Sequence, residues 1–228
     1  NMTARVSYYP KSIKTLGVSL LLGLLLATGL APLPGRLGVG VASAKPMPAI
    51  ESAWVAMQAQ LALDALEAAE NVSAIEQRDV ASRWVNSIAK IVAEHLEISS
   101  KELVQSWQQS GINRQKVLFS ALTQLGVPYK TNADQPGRAL DCSALTKFAW
   151  LSAGVFIPRG SSQQYAFGER VKTSAVRLGD LAWYPGHISM SLGLENIVIQ
   201  APTNGRSVEV HKIDESRADW VQWVDPTQ

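Results

Sequence analysis

From residue 50 to about residue 110 the chain has no proline and is rich in Ala, Leu, Glu and Gln. From Val171 onward it breaks into short runs of alternating residues. The first composition is helical, and period-two alternation between turn residues marks strands. Helices followed by a sheet of consecutive, tightly connected strands is the α+β order, because tight turns join antiparallel neighbours. Expected strands are 180–184, 187–192, 197–201 and 207–210, separated by Pro185-Gly186, Gly193 to Asn196, and Thr203-Asn204-Gly205.

The helical region shows its own periodicity. Val80, Trp84, Ile88, Ile91 and Val92 mark one face of a helix, and Ser99 with Glu102 has the spacing of a capping box. These helices pack on one another or on the following domain, or else hold a protein partner; the apolar spacing is not sustained in heptads. A further helix is expected over about 114–125, ended by Gly126-Val127-Pro128-Tyr129, and another over 143–152, stopped by Gly154.

Ahead of all this lies a basic leader. Residues 1–44 contain Arg5, Lys11, Lys14 and Arg36, no acid, an apolar run over about 16–33, and the small-x-small sequence Ala42-Ser43-Ala44. That is the pattern of a signal peptide cleaved after Ala44; if retained, residues 16–33 would anchor the chain in a membrane. In both cases the remainder faces outward, giving a secreted or cell-surface protein. Three parts are thus expected: the leader 1–44, a helical segment 45–110 and a catalytic domain 111–228.

The leader also accounts for the chain's net charge of +2, since without its four basic residues 17 basic groups face 19 acidic ones, a balance of −2. No Lys/Arg cluster remains to follow a phosphate backbone, which speaks against a nucleic-acid partner. No metal-ligand spacing, phosphate loop or cofactor motif is present, so no metal and no cofactor are expected.

Candidate chemistry centres on the single cysteine. Cys142, in Leu140-Asp141-Cys142-Ser143-Ala144, falls at a helix start, where unpaired amides favour a thiolate. An unpaired thiol in an exported chain also calls for a reason to be kept. In the run from His187 to Leu192, His187, Ser189 and Ser191 point one way and Ile188, Met190 and Leu192 the other. If the next run pairs with it through an even-numbered loop, Gln200 shares the face of His187. A cysteine, an imidazole and a polar group to orient the ring are the parts of a cysteine nucleophile system.

On these residues the stretch from about 118 to 210 resembles the NlpC/P60 family of papain-like cell-wall peptidases. The segments carrying the resemblance, in order, are Gln124-Leu125-Gly126-Val127-Pro128-Tyr129, Asp141-Cys142-Ser143, Pro158-Arg159-Gly160-Ser161-Ser162-Gln163-Gln164, Gly179-Asp180-Leu181, His187, and Ile199-Gln200-Ala201-Pro202. The resemblance implies a papain-like α+β domain in which Cys142 is the nucleophile, His187 the general base and acid, and Gln200 the third polar residue. It implies substrate contacts at Tyr129, Asp141 and Ser161, and peptidoglycan stem peptides as the substrate, cut between D-glutamate and a diamino acid. The chain departs from the family pattern at Lys130-Thr131-Asn132-Ala133-Asp134 and at Ala144, where the family has an aromatic with paired glycines and a glycine, respectively. Two other readings stand beside this one: an amidase or acyltransferase using the same Cys and His, and a non-catalytic wall-binding or scaffold protein.

Overall fold

The computed structural model describes residues 45–227. Helix α1 spans Ala49–Ala68, α2 Ala74–Leu96, α3 Ser100–Gln109 and α4 Ile112–Leu122. The complete reciprocal capping box forms at α2, where Ser73 accepts from the Glu76 amide and the Glu76 carboxylate accepts from Ser73 N–H at 3.0 Å. At α3, Ser99 caps through the Glu102 amide. The buried stripe of α2 is Ala81, Val85, Ile88, Ala89, Val92, Ala93 and Leu96, with Val80, Trp84 and Ile91 only flanking it. Alanines Ala59 and Ala62 of α1 are fully buried, as are Ala81 and Ala89 of α2. Such small residues permit close helix approach, and they alternate in the stripe with the fully buried Val85, Ile88 and Val92.

The rest of the chain builds the sheet and its cover. A two-stranded hairpin, β1 (Asp134–Gln135) and β2 (Ala139–Leu140), leads into α5 (Cys142–Leu151) and α6 (Ser161–Phe167). Then follow β3 (Glu169–Val171), a 3-10 turn, β4 (Leu181–Tyr184), β5 (His187–Ser191), β6 (Ile197–Gln200), β7 (Glu209–Lys212), α7 (Glu215–Ala218) and β8 (Gln222–Asp225). The six-stranded sheet has the order β3-β8-β4-β5-β6-β7 and every neighbouring pair is antiparallel. This is the expected α+β architecture, helices packed on an antiparallel sheet.

Both faces of the sheet are covered. Leu181, Ile188, Met190, Ile197, Ile199, Val210 and Val224 join the main core with the helices, while Ala182, Val198, Ile213, Val221 and Trp223 form a smaller cluster. The pairings Ala182↔Ser189, Ala182↔Trp223 and Val198↔His211 place this smaller cluster on the His187 side of the sheet. Every residue of β5 is therefore buried, including His187, Ser189 and Ser191.

Helices α1–α3 share the main core with α4, α5 and the sheet. The tie is specific: Trp107 Nε1–H donates to Leu192 O at 2.7 Å and Ser106 Oγ–H to Gly193 O at 2.7 Å. Both acceptors lie at the turn joining β5 to β6. Gly193 has φ +88, and a Cβ there would sit 2.3 Å from Ser106 Oγ. A positive φ and this close approach together require glycine.

The expectation of a membrane contact and a membrane-anchored location through residues 16–33 is corrected. Among the described residues no helix is long and apolar enough to cross a membrane. The two long helices, α1 and α2, carry charged residues along their length, Glu51, Asp64 and Glu67 in one and Glu76, Arg78, Lys90 and Glu94 in the other. The leader 1–44, with its apolar run and its cleavage sequence, lies outside the described residues.

Because Trp107 is fully buried and bonded to the hairpin turn, Trp107→Ala should cost about 3–5 kcal/mol of stability in urea or thermal unfolding. Trp107→Phe, which keeps most of the packing and removes the donor, should cost about 1–3 kcal/mol. Equal stability of all three forms would show that the helical segment does not hold the hairpin.

Candidate active site

Cys142 is the first residue of α5, and Asp141 is its N-cap, with Oδ1 accepting from the Ala144 amide at 2.8 Å. The fully buried Leu140, paired through β1 and β2 and bridged to Tyr129, fixes the approach of the chain to that cap. Cys142 is 9% exposed. Burial pushes its thiol upward and the Asp141 charge adds to this, against the pull of the Ile188, Ser143 and Cys142 amides. Desolvation thus outweighs the helix terminus and favours the neutral thiol, against the thiolate that a helix start alone suggests. The Ile188 amide acting on the sulfur brings the start of β5 to Cys142.

His187 opens β5 after Pro185-Gly186, a two-residue turn with Gly186 at φ +89. The β5–β6 connection is the four residues 193–196, closed by Leu192 N–H to Ile197 O at 2.8 Å. His187 and Gln200 therefore share a face, with His187 Nε2 2.9 Å from Gln200 Oε1. Burial lowers the imidazole below the ordinary histidine range, and the Gln200 bond partly opposes this. A neutral ring that donates from Nε2–H to the Gln200 carbonyl keeps its lone pair on Nδ1, the nitrogen left to act as a base. The ring of Tyr184 lies 5.2 Å away, tilted by 38°.

Beyond Gln200 the polar chain continues. Gln200 Nε2–H donates to Glu209 Oε1 at 3.0 Å, and Arg206 Nη2 donates to both Glu209 oxygens at 2.6 Å.

Cys142, Tyr129, Asp141 and Ser161 line one cleft of about 450 Å³, with Thr131, Asn132 and Arg159. None of its lining residues comes from α1–α3. Asp141 is held by Arg159, whose Nη1 donates to Oδ1 at 2.9 Å and Nη2 to Oδ2 at 2.7 Å. Oδ1 is further occupied by Ala144 N–H and Ser143 Oγ–H, whereas Oδ2 takes one bond and retains acceptor capacity toward the cleft. Gln164, from the segment following Ser161, is fully buried: its amide donates to Ser143 O and Pro158 O at 2.8 Å and accepts from Thr146 Oγ1 at 2.6 Å. It pins α6 against α5. Asp180 likewise has a structural setting, accepting from Arg114 and the Arg177 amide.

Glu209, Arg206 and Tyr184 are the site neighbours that sequence reasoning missed. Tyr184 follows from the two-residue turn, which pairs it with His187. Glu209 becomes visible only once β6 and β7 are in register, with Gln200 opposite Glu209.

Three known proteins are similar to this chain over part of its length. Dipeptidyl-peptidase 6 of Lysinibacillus sphaericus is 31% identical over 103 residues, covering 45% of this chain and 37% of that protein. A probable endopeptidase of Corynebacterium glutamicum is 36% identical over 103 residues, covering 44% and 48% respectively. Peptidoglycan endopeptidase RipA of Mycobacterium tuberculosis is 29% identical over 110 residues, covering 41% and 23%. The chain thus spans less than half the length of each of these relatives. The NlpC/P60 family model matches residues 126–224, a range that contains Tyr129, Cys142, Ser161, His187 and Gln200. That segment, residues 126–224, with its helix-borne cysteine and strand-borne histidine, belongs to the NlpC/P60 family.

Proposed function

We propose that this chain is a cysteine endopeptidase that hydrolyses peptidoglycan stem peptides at the bond between D-glutamate and a diamino acid. Cys142 is the nucleophile, His187 the base and acid, and Gln200 the group that orients the ring. The observation that carries the reading is the pairing of His187 Nε2 with Gln200 Oε1 beside a cysteine that opens a helix and lines a cleft. The NlpC/P60 match over residues 126–224 supports it, as does the likeness to the mycobacterial peptidoglycan endopeptidase RipA.

The chemistry follows from the neutral resting pair. His187 Nδ1 takes the proton from Sγ as the thiolate attacks the D-glutamyl carbonyl, and the resulting imidazolium is held by its Nε2–H bond to Gln200. Backbone amides around Cys142 stabilise the oxyanion. Collapse breaks the C–N bond, His187 protonates the leaving amine, and a thioester remains on Cys142. Water, deprotonated by His187, hydrolyses that thioester and returns the thiol. In this reading Asp141 Oδ2 offers an acceptor to the substrate's free amine, while Tyr129 and Ser161 flank the bound peptide.

Digestion of defined muropeptides by residues 45–228, followed by mass spectrometry, should yield fragments ending in D-glutamate. Cys142→Ala should lower the rate by at least about a thousandfold. Products from both forms alike, or from neither, would overturn the proposal, the second result favouring a scaffold role.

Because burial raises the thiol and lowers the imidazole, alkylation of Cys142 by iodoacetamide should be slow at pH 6 and climb with pH beyond the ordinary cysteine range. A fast plateau extending down to pH 5 would show a preformed thiolate–imidazolium pair instead.

A further inference from the structure

We propose that Glu209, held by Arg206, is a positioning residue that locks the Gln200 amide in the orientation His187 requires; this rests on the catalytic roles proposed above. A glutamine side chain has two ends of nearly equal size, one accepting and one donating. With the carbonyl end toward His187, the ring carries its proton on Nε2 and keeps Nδ1 free as the base. With the amino end toward His187, Nε2 must accept, the proton moves to Nδ1, and the base is lost. A glutamine alone does not choose between these states.

Glu209 makes the choice. Its carboxylate only accepts, and it faces Gln200 Nε2 at 3.0 Å. Glu209 is 5% exposed, and its charge is met by Arg206 Nη2 at 2.6 Å from both oxygens. The backbone fixes the contact, since Gln200 and Glu209 are direct register partners on β6 and β7. Arg206 is itself seated: its carbonyl accepts from the Tyr129 amide at 2.9 Å and its amide donates to Thr203 O at 3.1 Å. The chain from His187 through Gln200 and Glu209 to Arg206 therefore has one consistent set of donors and acceptors.

A carboxylate in place of the glutamine has two equivalent acceptors and no wrong orientation. The proposal therefore predicts that the effect of removing Glu209 depends on what occupies position 200. Glu209→Leu should lower kcat about ten- to a hundredfold with KM nearly unchanged, as loss of a supporting partner typically does. Nitrogen NMR of the His187 ring should show Nδ1–H form absent from the parent. Gln200→Glu alone places two carboxylates face to face, which cannot both ionise cheaply, and should also lose activity. In the double variant Gln200→Glu with Glu209→Leu, kcat should recover to within about tenfold of the parent.

If Glu209→Leu does not fold, Glu209→Gln takes its place; its amino end competes with its carbonyl end, so some Nδ1–H form and a lower kcat are expected. An unchanged ring tautomer in the folded single variant, or a double variant no better than its parents, would overturn the proposal. The ring measurement needs no substrate. A parent chain that cleaves no muropeptide would refute the proposed function, while the tautomer would still decide the role of Glu209.

Discussion

The register of the β5–β6 hairpin is the constraint on which the site depends. Side chains alternate across a strand, so a slip of one residue would send Gln200 to the opposite face from His187 and dissolve the 2.9 Å contact. The four-residue connection sets that register locally, and α3 holds it from outside through Trp107 and Ser106 on the carbonyls of Leu192 and Gly193. The N-terminal helices lie within the same core as the sheet and contribute no lining to the cleft. Trp107 and Ser106 tie them to the hairpin that carries His187 and Gln200, and α2 also packs against β7.

A second junction brings Cys142 to this hairpin. Asp141 caps α5 and is clamped by Arg159, so the first turn of the helix is fixed on the cleft side, and the Ile188 amide reaches the Cys142 sulfur. Burial then sets the protonation states. The thiol is pushed up and the imidazole down, which favours the neutral form of both groups. In the proposed reaction charge forms when the proton crosses from one to the other, and the resulting cation meets the Gln200 carbonyl, itself bonded to the Glu209 carboxylate.

Much of this was legible in the sequence because it depends on local pattern. Alternation in His187 to Leu192 put His187 and Gln200 on one side on the condition of an even-numbered loop, and the helical pattern of 143–152 put Cys142 at a helix start. What depends on contacts between distant segments was not legible. Strand β3 is short and mostly exposed at the sheet edge, and it takes its partner β8 from the C-terminal end of the chain. The β7 strand begins later than the alternation suggested, because Ser207 bridges to Pro128 instead of joining it. The thiol's upward shift escaped because the helix terminus is visible in sequence and the burial that outweighs it is not. Glu209 read as an ordinary strand carboxylate until the β6–β7 pairing set it opposite Gln200.

The measurement that tests the account most directly is a search for the acyl-enzyme. The chain would be mixed with a stem peptide containing the D-glutamyl–diamino acid bond, quenched in acid and mapped by mass spectrometry. A thioester carried by Cys142 that comprises the fragment ending in D-glutamate is expected, together with release of the diamino acid fragment. Release of the same products with Cys142 unmodified at every time, and undiminished in Cys142→Ala, would contradict it.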